Sequence, residues 1–261
     1  MVCSINNVEL PSDELVIAAG REVLEASQSW KKGKTYQKNT VQTYSRPKKP
    51  NDGASWHCRV SEHTPKEATF DEFWSKIGNN HSEYEKQYID VVKKVTLIKK
   101  ISETQEIWSL YYEFPSVGVS PRVFTVLQVT HYDPRSPRTG LFISIPVDLT
   151  SDPELARLEE KGIKGHYVSV ESIKELPNGD TEWRMATSSS PGGRIPAFVV
   201  DNTMASTISA DVPHFFKWFE TVRHVTETKE RLPPDSAASN VNSTIITNSA
   251  AVTSAIQTPI A

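Results

Sequence analysis

Apolar residues near the N-terminus recur at helical spacing: Leu15, Ala19, Val23 and Ala26 lie three or four apart, up to about Gln28. Ahead of them, Pro11-Ser12-Asp13-Glu14 supplies a cap and an acidic first turn that suits the helix dipole. Lys31-Lys32-Gly33-Lys34 is the expected end. Strand-like runs follow over 35–45 and 55–61, joined by 46–53, whose two prolines and Asp52-Gly53 mark a loop. Residues 69–89 read as helix, with Thr69 as cap and Phe70, Phe73, Trp74 and Ile77 on one side; Gly78-Asn79-Asn80 splits it in two.

The period then changes from helical to two. Residues 94–101, 106–114, 122–132 and 140–148 are rich in β-formers, and Trp108, Leu110, Tyr112 and Phe114 alternate as one core-facing set. Runs 165–176 and 181–189 predict a hairpin across Asn178-Gly179. The last element is a helix over 196–225. Its stripe is Val200, Met204, Ile208, Val212, Phe215, Phe219 and Val222, the strongest periodicity in the chain, and Pro213 predicts a kink. Strands in succession followed by one amphipathic helix specify an α+β domain with the helix laid on an antiparallel sheet.

From Ser236 to Ala261 the sequence has no charged and no aromatic residue. With so little to bury, 227–261 is expected to be disordered. The predicted organisation is therefore a helix and lead-in over 1–33, a folded domain over 34–226, and a tail.

Charge and cysteine content exclude several functions. Twenty-nine basic against 32 acidic residues give a net charge of −3, which argues against a dedicated nucleic-acid binder. Cys3 and Cys58 suffice for neither a disulfide framework nor a structural zinc site. The start has no basic or apolar leader pattern, and no run of residues is apolar enough to span a bilayer. A soluble, cytoplasmic monomer is expected. No nucleophile-elbow, phosphate-loop or dinucleotide motif is present, and the seven histidines lack metal-ligand spacing, so neither catalysis nor a cofactor is expected.

Two motifs, in this order and followed by the long helix, resemble the START (steroidogenic acute regulatory protein-related lipid transfer) domain over about 34–226. One is Phe114-Pro115-Ser116-Val117-Gly118-Val119-Ser120-Pro121-Arg122-Val123-Phe124-Thr125, similar to the loop between two central strands of that family. The family's usual Arg-Asp pair reads Arg122-Val123 here, so a role tied to that acid is lost. The other is Pro191-Gly192-Gly193-Arg194-Ile195-Pro196, similar to the Gly-x-Ile-Pro run that leads into the C-terminal helix. The wording is closest to a divergent fungal-type START-like group of unassigned function.

The resemblance implies a helix-grip fold, a curved antiparallel sheet wrapped around the C-terminal helix, with a hydrophobic cavity between them. The loop 114–121 and the first half of the helix would gate it. It implies binding, and transfer or sensing, of a lipid or other hydrophobic small molecule, with transient contact to a membrane surface.

Candidate wall residues are Trp108, Tyr112, Phe114, Val117, Arg122, Phe124, Ile143, Trp183, Met185, Val200, Met204 and Ile208. Each also reads as ordinary core. Phe124 and Leu127 have opposite parity and cannot both line a cavity. Arg122, Arg184, Glu113 and His166 are charged or polar within β runs and would need partners if buried. Arg46, Lys48 and Lys49 form a basic loop suited to anionic lipid. Two other classes are a cyclase-like enzyme on the same scaffold, with His166, Glu113 and Tyr112 as acid–base groups, and an interaction module with a collapsed pocket.

Overall fold

The structure, a computed structural model, describes residues 3–4, 10–114 and 118–231. The chain divides into two units, Met1–Trp218 and Phe219–Ala261. The second is described as helix through Arg231, and all that follows concerns the first. The expected disordered stretch lies outside the described residues except for 227–231, which continue the helix.

The strands are β1 (Cys3–Ser4), β2 (Lys31–Tyr36), β3 (Val41–Arg46), β4 (Trp56–His63), β5 (Val92–Lys100), β6 (Gln105–Phe114), β7 (Val119–Asp133), β8 (Thr139–Asp148), β9 (Ile163–Glu175) and β10 (Thr181–Ser190). The helices are α1 (Asp13–Ser27), α2 (Phe70–Ile77), α3 (His81–Tyr88), α4 (Pro153–Ala156) and α5 (Ala197–Arg231). One sheet runs in the order β2-β3-β4-β10-β9-β8-β7-β6-β5, with β1 paired in parallel to β8. Its outer strands β2 and β5 carry Lys31, Lys32 and Lys34, and Lys93, Lys94, Lys99 and Lys100, which discourage further strand addition.

Local sequence explains most elements. Ser12 caps α1 by accepting from the Leu15 N–H, and Thr69 with Glu72 forms a capping box on α2. Gly179 takes the left-handed conformation (φ 85°) in the β9–β10 turn. One expectation fails: 35–45 is not one strand but a hairpin, β2 and β3, around Gln37, Lys38 and Asn39, all at positive φ. No glycine or proline marks that turn, and the lysines expected to end α1 are themselves strand. The short helix α4 was not expected either. α5 is continuous across Pro213 and extends beyond residue 225.

Sheet pleating separates two cores. On one face, α1 packs Val16 against Ile107, Leu127, Val129, Ile143, Val147 and Val170. Here Gly20 is required: a Cβ would press on Ile143 and Val170. The other face carries α2, α3 and α5. At its α2 end it is filled by aromatic rings, Phe73 stacked on Phe215 (5.3 Å between centroids, 4° between planes) with Trp183 edge-on to both. Further along α5 this packing gives way to open space.

Candidate functional site

That space is a cavity of about 560 Å³. The first half of α5 supplies Val199, Val200, Thr203, Met204, Thr207, Ile208 and Asp211 to its wall, whereas Val212, Phe215 and Trp218 are buried. The stripe is therefore divided along its length, and the division follows the rows of the sheet. Row by row on β10, Trp183 lies under the aromatic cluster, and Met185, Thr187 and Ser189 face the cavity.

Of the residues singled out in the sequence, Tyr112, Phe114, Arg122, Phe124, Met185, Val200, Met204 and Ile208 line the cavity. Trp108 does not; it packs with Leu110 and Val126, its indole N–H donating to Glu106. Ile143 does not, because its parity puts it under α1, while neighbouring Ser144 faces the cavity. Trp183 does not, because Phe73 and Phe215 close over it. Val117 lies outside the described residues. The expected loop 114–121 is shorter than its sequence suggested: Phe114 and Val119 are paired, so only 115–118 lie between the strands. Phe124 lines the cavity and Leu127 belongs to the α1 core, as their parity requires.

The remaining polar candidates separate. Arg122 is buried at the cavity edge, its Nε donating to the Pro191 carbonyl (3.2 Å) and Nη1 to the Ser120 carbonyl. Pro191-Gly192-Gly193 thus offers a carbonyl to Arg122. Gly192 and Gly193 both sit at φ 66°, and a Cβ on Gly192 would overlap the Lys164 carbonyl. Arg184 faces away, with Glu182 (3.2 Å) and Ser27 (3.2 Å). His166 lines a separate hollow with Asp148, Glu159 and Lys164. The acid–base trio is therefore not assembled: only Tyr112 of the three lines the cavity. In the basic loop, Arg46 is held by Asp52 (2.5 Å) between Trp30 and Trp56, and Lys48 donates to the Gly53 carbonyl.

The cavity also contains a polar end that sequence reading missed. Arg59 on β4, 1% exposed, donates from Nη2 to Glu171 Oε1 on β9 at 2.9 Å. The same oxygen accepts the Trp183 indole N–H at 2.8 Å, and the guanidinium lies over that indole, 4.0 Å from its centre. His81 opens α3. Its Nδ1 donates to the Ile77 carbonyl (3.1 Å), its ring stacks on Phe142, and its Nε2 lies 3.8 Å from Glu171 Oε2. Burial lowers the His81 pKa, opposed by Glu171 and the Ile77 carbonyl.

Glu85 on α3 and Asp211 on α5 complete this end. Burial raises Glu85 to about 8, with repulsion from Asp211 and Glu171 adding to the shift. Burial likewise raises Asp211 to about 7, opposed by Arg59 and reinforced by Glu171. Tyr88, Tyr112 and Tyr167 line the same space, and burial pushes each phenol pKa up. Apolar walls with a few converging polar groups at one end can orient an amphiphile.

Among the described residues no group of three or more His, Cys, Asp or Glu could hold a metal ion, and no helix is long and apolar enough to cross a membrane. The model of a family described as a protein of unknown function, DUF3074, matches residues 56–219. No curated protein matches the chain in sequence. Among solved structures, human STARD10 superposes with a TM-score of 0.67 at 12% identity, covering 85% of each chain. Human StAR-related lipid transfer protein 5 gives 0.63 at 15% identity, covering 81% of this chain and 100% of that one. The lipid transfer and protein localization domain of human StarD13 (DLC2) gives 0.56 at 14%, covering 80% and 98%. The likeness is one of fold, the START helix-grip architecture.

Proposed function

The chain belongs to the DUF3074 family and has the START fold, and from the cavity in that fold we propose that it binds one hydrophobic small molecule. The observation that carries this reading is the 560 Å³ space between sheet and α5, mostly apolar along its walls, with Arg59, Glu85, Glu171 and Asp211 among its lining residues. The names of two similar structures, lipid transfer proteins, support a lipid as the class of ligand. A space of this size suits a single chain or a compact ring system.

The role that fits such a binding space is that of a carrier or sensor. Movement of α5, whose first half lines the cavity together with Phe114 and Val119, would widen access. Its first turn presents Phe198 (65% exposed) and Val199 to solvent, where they can meet a membrane surface as α5 moves. Native mass spectrometry of the purified protein after incubation with lipid vesicles tests the reading. One bound molecule per chain, released by organic solvent, is expected; a ligand-free protein under all lipid compositions would overturn it.

A further inference from the structure

The charges facing the cavity do not balance among themselves. Two guanidiniums, Arg59 and Arg122, stand against three carboxyl groups, Glu85, Glu171 and Asp211. Arg59 is bonded to Glu171, and Arg122 to the backbone carbonyls of Pro191 and Ser120. His81 is turned to the Ile77 carbonyl and to Glu171, and burial disfavours its charged form. Glu85 and Asp211 therefore face the cavity from two helices without a cation of their own, and Tyr88, Tyr112 and Tyr167 surround them with phenol rings. Arg59 points independently to a ligand: it lines the cavity while almost fully buried, and its Nε and Nη1 have no acceptor.

We propose that the ligand is a single-chain amphiphile whose polar end is an aliphatic amine carrying a neighbouring hydroxyl, with the ammonium facing Glu85 and Asp211 and the hydroxyl oxygen facing Arg59. An ammonium supplies the counter-charge that these two carboxyl groups lack in a poorly solvated space, and so lets them ionise. The phenol rings suit a cation, whose attraction to aromatic faces grows as water is removed. A fatty acid would instead add a fourth carboxyl group and no cation. The cavity volume suits one chain with a small head. Binding an ammonium draws Glu85 and Asp211 into their ionised forms, so it releases protons near neutral pH.

This inference rests on the carrier reading, and the test separates the two. Hexadecylamine, its amino-alcohol analogue, hexadecanol and palmitic acid are compared by competition against one fluorescent fatty probe. The comparison uses the full chain and a Glu85→Gln/Asp211→Asn double variant. The amines are expected to bind at least tenfold more tightly than the alcohol or the acid, the amino alcohol most tightly. The double variant should bring the amine-to-alcohol ratio close to one. Calorimetry in buffers of different ionisation enthalpy should record proton release with the amine and none with the alcohol. Equal or tighter binding of the acid, or a preference for amine that survives in the folded double variant, would overturn the inference and leave the carrier reading standing. Binding of no probe at all would overturn both.

Discussion

Arg59 and Glu171 meet at 2.9 Å although their strands are not neighbours. β10 lies between β4 and β9, and Met185 pairs with Arg59 on one side and with Glu171 on the other. The ion pair thus reaches across Met185 on the concave face and ties three strands together beneath the cavity. Breaking a buried pair from one side leaves an uncompensated charge, so Arg59→Met should cost about 3–5 kcal/mol. Adding Glu171→Gln, which keeps an acceptor for the Trp183 indole, should recover most of that loss. Urea unfolding of the single and double variants measures it, and equal destabilisation by both would show that the pair is not coupled.

The second prediction concerns α2. The Trp74 ring lies on Gly140, where a Cβ would overlap it, and it also stacks on Tyr132. Gly140→Ala should displace Trp74 and cost about 1–3 kcal/mol by overpacking. Tryptophan fluorescence and thermal melting together read this out; an unchanged melting temperature would mean that α2 yields freely.

Stability should fall as the pH rises through neutrality. Glu85 and Asp211 have folded pKa values raised to about 8 and about 7, above their ordinary 4.5 and 3.8. The folded state therefore holds these protons more tightly than the unfolded state. Their contribution is complete below the ordinary carboxylate range and is lost as pH rises through 7 and 8. Each group has a limiting slope of about 1.4 kcal/mol per pH unit. Melting temperatures of the ligand-free protein from about pH 5 to about pH 9 should decline, and the Glu85→Gln/Asp211→Asn variant should flatten the decline. A wild-type profile that is flat above pH 6.5 would contradict the burial of these carboxyls.

Much of this architecture is legible from residue pattern. Capping residues at Ser12 and Thr69, the break at Gly78 and the Asn178-Gly179 turn all fall where local preference puts them. The β2–β3 turn is not legible, because Gln37 and Lys38 take positive φ with no glycine to mark it, and Gln37 is held from a distance by donating to the Ser209 carbonyl on α5. Arg59 and Glu171 are 112 residues apart, so their pairing has no local signature. A signal existed nonetheless: Glu171 is the one charge in the strand stretch from Tyr167 to Ile173, and Asp211 falls between Ile208 and Phe215 on the α5 stripe. A charge on a face otherwise built for burial marks a polar end inside a cavity. Parity alone could not decide how far the cavity extends, since Trp183 and Met185 share a face and only the rings of α2 and α5 separate them.

The central claim is that the first half of α5 walls a ligand cavity and is not packed core. Met204 lines that cavity, so a longer side chain there has space to occupy. Met204→Arg, followed by circular dichroism and binding of a fluorescent fatty probe, tests the claim most directly. The cavity account predicts a native spectrum and cooperative melting together with at least a tenfold loss of binding, because the arginine stem fills the ligand's space and its head can turn toward Asp211 or solvent. Unfolding or aggregation, the expected cost of an unpaired charge forced into a packed core, or undiminished binding in a folded variant, would contradict it.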